Sequence, residues 1–75
     1  MADKLLDVKG LGCPMPVLKA KRALQEVIPG GTLEVLATDP GAPADFEALC
    51  HAMGHTLVES SASGGVYRFL IKHKG

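Results

Sequence analysis

The 75-residue chain carries eight basic and eight acidic residues, no net formal charge, and 47% hydrophobic against 21% charged side chains. That balance excludes a disordered polyelectrolyte, and the length fits one domain, residues 1–75, with a modest core. Neutral charge with only Phe46, Tyr67 and Phe69 as aromatics argues against a broad nucleic-acid surface, and no apolar run approaches the roughly 20 residues of a membrane helix.

Residues 4–9 predict a strand, with Leu6 and Val8 alternating with Lys4, Asp7 and Lys9. Gly10-Leu11-Gly12-Cys13-Pro14-Met15-Pro16 follows as the seam between strand and helix. From Pro14 to about Ile28 the apolar spacing is helical: Val17, Ala20, Leu24, Val27 and Ile28 share a face, with Lys19, Arg22 and Glu26 turned away. Pro29-Gly30-Gly31 ends this helix. Thr32 to Thr38 predicts a second strand, with Leu33, Val35 and Ala37 on one side and Thr32, Glu34 and Thr38 on the other. After the turn signal Asp39-Pro40-Gly41-Ala42-Pro43 a second helix runs from about Pro43 to Met53, with Phe46, Leu49, Cys50 and Met53 on its apolar face and Gly54 as its stop. Residues 55–60 and 66–73 predict two strands around a five-residue loop at 61–65, the last with Tyr67, Phe69 and Ile71 on its apolar face. Right-handed crossovers then give a two-layer βαβαββ sandwich, a four-stranded mixed sheet with two helices on one face.

Cys13 concentrates the chemistry. Gly12 leaves its thiol uncrowded, and Pro14 suits a first helical position, so Cys13 is expected as the N-cap at the positive end of the helix. Free amides and the helix dipole there predict a thiol shifted below its free value of about 8.5. The competing reading is a small buried residue at a helix start, but a loop before a helix is normally surface. The two cysteines are too few for a disulfide scaffold. The opening Met-Ala-Asp-Lys leads into a strand pattern with no secretory hydrophobic segment, and a cytoplasmic setting is expected.

The segment Gly10 to Pro16 resembles the Cys-Pro-x-Pro signature of the TusA family of small sulfur carriers, also called SirA-like. The resemblance extends to Pro29-Gly30-Gly31, Asp39-Pro40, Phe46 through Cys50, and Gly64 through Lys72. It implies a βαβαββ sandwich whose catalytic residue is Cys13, with Gly12, Pro14 and Pro16 supporting the motif. By resemblance, Cys13 takes sulfane sulfur as a persulfide from a cysteine desulfurase or rhodanese-type donor. It then relays that sulfur to a downstream acceptor protein thiol, for tRNA 2-thiouridine synthesis or another sulfur-trafficking pathway. The chain departs from the usual pattern with Met15 where an acidic residue is common, and Gly12 where a larger polar one is common; both bear on the partner's identity. A persulfide reacts as an anion by thiolate exchange, so no cofactor and no metal is called for.

Other residues divide between chemistry and packing. Met15, Leu18, Lys19 and Arg22 fall at i, i+3, i+4 and i+7, an outward face beginning beside the thiol. It is either a solvated face or a docking surface for donor and acceptor. Cys50 reads as core. His51 and His55 could suggest zinc together with Cys50, yet Gly54 should break the helix between them and no fourth ligand is near. Asp39 is a turn or cap residue with a possible place near Cys13, since both follow strand ends. Arg68 and Lys72 are expected to be solvated on the open sheet face. Two rival readings stand beside the carrier: a regulatory or RNA/protein-binding module, and a thiol redox protein, which would need Cys50 as resolving thiol. A monomer is expected, with no membrane and no direct nucleic-acid partner.

Overall fold

A computed structural model describes residues 3–74; Met1, Ala2 and Gly75 lie outside the described residues. Six elements follow in order: β1 (Lys4–Val8), α1 (Met15–Leu24), β2 (Thr32–Ala37), α2 (Ala42–Met53), β3 (Thr56–Ser63) and β4 (Val66–Lys72). The four-stranded sheet has the order β1-β2-β4-β3, with β1 parallel to β2 and both β2 and β3 antiparallel to β4. Alternation dictates which side each strand buries. Leu33, Val35, Ala37, Phe69 and Ile71 turn to one face and pack with Ala20, Ala23 and Leu24 of α1 and Phe46, Leu49 and Cys50 of α2. The expected two-layer sandwich is the observed one. At its centre the Phe46 and Phe69 rings stack with centroids 4.7 Å apart, welding α2 to β4.

The element ends moved from their expected places for backbone reasons. The first helix ends at Leu24, not Ile28, because Gln25, Glu26 and Val27 bond three residues back, to Arg22, Ala23 and Leu24, and tighten the last turn. That turn keeps Val27 in the core but swings Ile28 out to 69% exposure, so Ile28 is not part of the core stripe. Pro16 and Ala23 bury in its place. β1 stops at Val8, where the Lys9 amide donates to the Asp7 side chain, and Thr38 leaves β2 to accept a hydrogen bond from the Gly10 amide at 2.9 Å. The second helix starts one residue early, at Ala42.

The larger difference is at the hairpin. β3 runs on to Ser63, and the expected five-residue loop shrinks to Gly64-Gly65. Both glycines have positive φ, 57° and 81°, the conformation a two-residue hairpin turn requires. A bulge between Leu57 and Glu59 re-aims the strand early on. On the open face, Arg68 is only partly solvated, and it is paired. It bonds Glu34 on β2 at 2.8 Å and Glu59 on β3 at 3.1 Å, tying β4 to both of its neighbours.

Candidate functional site

β1 and β2 are parallel, so the loops leaving them reach the same end of the sheet, where α1 and α2 begin. Cys13 sits in the first of these loops, exposed and unpaired by any disulfide. It is not the N-cap. Cys13 and Pro14 form a turn closed by the Met15 amide donating to the Gly12 carbonyl at 3.0 Å; Pro14 is the cap residue, with no side-chain cap bond, and Met15 opens the helix. Gly12 and Pro14 are exposed, whereas Pro16 is buried under the first turn. The Cys13–Pro14 peptide bond is cis.

This construction removes most of what would stabilise a thiolate. Pro14 and Pro16 have no N–H, and the Met15 amide is already spent on Gly12. The expected lowering of the Cys13 thiol gives way to a rise. Loss of water contributes most, then the Asp45 carboxylate, as a charge and as a hydrogen-bond acceptor, then the charge of Asp39.

Cys13 heads an open cleft of about 330 Å³ between the two helices. Pro14, Val17 and Lys21 form the α1 wall, and Asp45, Ala48, Leu49, Ala52 and Met53 the α2 wall. The floor is apolar, with Asp45 near the thiol and Lys21 a helical turn beyond Val17. Asp45 lies in the first turn of α2, and its carboxylate and that of Asp39 both close over Gly41, within 3.6 Å of where a Cβ would stand. Asp39 therefore does stand near Cys13, as the strand ends suggested. Asp45 and Lys21 escaped the reading of the sequence. The available signal was an acidic residue in the first turn of a helix that starts at the same sheet end as the cysteine loop.

The outward face of α1 is also in place. Met15 is 43% and Leu18 50% exposed, and Lys19 and Arg22 are exposed beside them, turned toward the β1 edge rather than into the cleft. Cys50 faces the core at 3% exposure, and burial pushes its thiol up. His51 is exposed while His55 is buried past the end of α2, so the two do not share a face. Among the described residues no three metal-binding side chains converge, and no helix is long and apolar enough to cross a membrane.

A βαβαββ sandwich with one exposed thiol at the mouth of an interhelical cleft defines a small α/β thiol protein. The chain belongs to the TusA family: the model described as Sulfurtransferase TusA matches residues 4–73. A chain from Neisseria meningitidis serogroup B is 50% identical over 74 residues, covering 99% of this chain and all of that one. The sulfur carrier protein TusA of Allochromatium vinosum is 47% identical over 70 residues, 93% of this chain and 92% of its own. The crystal structure of a SirA-like protein from Desulfitobacterium hafniense superposes with a TM-score of 0.83 at 27% identity, over 96% of this chain and 99% of that one.

Proposed function

We propose that the protein is a sulfur carrier that holds sulfane sulfur as a persulfide on Cys13. The observation that carries this reading is an exposed, unpaired thiol at the head of a cleft, in a chain of the TusA family. In the loading step the Cys13 sulfur attacks the terminal sulfur of a donor protein's persulfide. One S–S bond forms, the donor's S–S bond breaks, and the Cys13 proton passes to the departing donor thiolate. Unloading repeats the exchange with an acceptor thiol as nucleophile. Neither step needs a metal, a cofactor or a net change of redox state.

A cysteine desulfurase or rhodanese-type protein is the donor in this reading, and a second protein thiol the acceptor, in a reducing cytoplasmic setting. The protein is then a relay rather than a self-contained turnover enzyme, and the chain itself supports that view. Loss of water first, then the Asp45 and Asp39 carboxylates, raise the Cys13 thiol, so its surroundings disfavour the thiolate. Activation must come from the partner. Cys13 has room for one, with the apolar cleft on one side and Met15, Leu18, Lys19 and Arg22 on the other.

The test is direct. The protein is incubated with a cysteine desulfurase and cysteine and examined by mass spectrometry, with Cys13→Ser as control. One added sulfur on Cys13, absent from the variant, is expected. No adduct, or an adduct on Cys50, overturns the reading.

A further inference from the structure

The pole of the molecule opposite Cys13 carries a second cluster of titratable groups that persulfide chemistry does not use. Among the described residues His55, between α2 and β3, is the buried polar one, at 8% exposure. Its Nδ1 accepts a hydrogen bond from the Lys74 amide at 3.1 Å, so its proton must reside on Nε2. Among the described residues, that buried Nε2 has no partner. The His55 ring packs on His73, centroids 4.7 Å apart. His73 is itself tied by its backbone to the turn after α1: its amide donates to the Gly31 carbonyl at 2.8 Å, and its carbonyl accepts from the Gly30 amide at 3.1 Å. The C-terminal segment is thus held by its own backbone to the turn after α1 and by the His55 ring, against His73 and at the Lys74 amide.

We propose that His55 and the His73–Lys74 backbone form a proton-operated latch, which holds the C-terminal segment against the Gly30–Gly31 turn while His55 is neutral and releases it when His55 is protonated. The chemistry follows from the tautomer. A proton taken up at Nδ1 turns the only acceptor of the Lys74 amide into a donor, so two donors face each other. Among the described residues, no carboxylate acts on His55 to balance the new charge. Among the described residues, the charges acting on His55 are those of His73 and Lys74, both of the same sign when protonated. The Nε2 hydrogen, already without a partner, gains one only when the ring reaches water. Burial first, then His73 and Lys74, hold the His55 imidazole below the ordinary histidine range.

The sign follows by linkage. The open state, with its ordinary histidine, binds the proton more tightly than the closed state. Opening is therefore constant above about pH 6.5 and rises as the pH falls, by up to about tenfold per unit, until the closed state also titrates.

The experiment is NMR on the intact chain between pH 7.5 and 5. Exchange of the Lys74 and His73 amides, corrected for the intrinsic chemical rate, is expected to accelerate severalfold, while the Val35 and Phe69 amides stay protected. His55→Asn keeps an acceptor near the Nδ1 position that cannot titrate, and should hold tail exchange flat across that range. If the variant fails to fold, the wild-type titration decides alone. Tail exchange that does not respond to pH, or an equal response in His55→Asn, overturns the latch. The readout does not depend on whether Cys13 carries sulfur.

Discussion

The Asp45 carboxylate and the Cys13 thiol meet at the head of the interhelical cleft, one from the first turn of α2 and the other from the turn before α1. Together with loss of water, that carboxylate keeps the resting sulfur protonated. Replacing Asp45→Asn should move the midpoint of Cys13 alkylation by iodoacetamide to lower pH, and Asp39→Asn should move it less. Peptide mass spectrometry after timed alkylation across pH 6–10 reads both. An unmoved midpoint in Asp45→Asn would show that the carboxylate does not govern the thiol. Because the folded state holds this proton more tightly than the unfolded chain, the stability it contributes is present at neutral pH. It fades as the pH climbs past the free-thiol value.

Phe46→Ala removes half of the stacked pair at the centre of the core, where both rings are fully buried. Such truncations cost about 3–5 kcal/mol. A domain of this size has only about 4–11 kcal/mol in total. The urea midpoint should fall by about a quarter or more, and the variant should be partly unfolded at 37 °C. A loss under about 1 kcal/mol would mean that the site collapses around the gap.

Gly54 caps α2 in the left-handed region, with φ of 77°, and its amide bonds back to the Cys50 carbonyl. Gly54→Ala should cost about 1–2 kcal/mol in chemical denaturation. The new methyl finds ordinary van der Waals room beside the Lys74 side chain, so the cost is conformational rather than steric.

Arg68 spans three strands through Glu34 and Glu59, yet its side chain is 36% exposed, so solvent screens both pairs. Arg68→Gln should lower stability by no more than about 1 kcal/mol, and the difference should shrink in 1 M salt. A salt-independent loss of several kcal/mol would assign Arg68 a packing role instead.

Arg22→Glu tests the outward face of α1. If donor or acceptor docks there, charge reversal should slow sulfur loading of Cys13 from a desulfurase severalfold while leaving iodoacetamide alkylation unchanged. Equal loading rates would leave the cleft as the partner's only route.

Side-chain periodicity made the six elements and the two-layer class legible, because one buried face per element leaves a 3.6 or a 2.0 rhythm. It could not show backbone hydrogen bonds. Ile28 has the right spacing for the core stripe but lies beyond a turn where the chain has already tightened. Ser61, Ala62 and Ser63 have poor strand propensity, and are held in β3 by pairing with Arg68, Tyr67 and Val66. The pairing of Arg68 with Glu34 is invisible until β4 is known to lie between β2 and β3. At the site, the cysteine and its place before a helix were legible. The sign of its titration was not, since the prolines that mark the motif also remove the amides that would have stabilised a thiolate.

The bulge in β3 has a bearing on solubility. At eight residues β3 is the longest strand and lies on the sheet's margin, the kind of backbone that recruits other chains into aggregates. The irregularity at Leu57–Glu59 leaves half-exposed Val58 out of the ladder and sets a carboxylate next to it, and beyond it the margin is serine and alanine. Straightening that segment, by deleting Val58, should make the protein scatter more light on storage than the intact chain does.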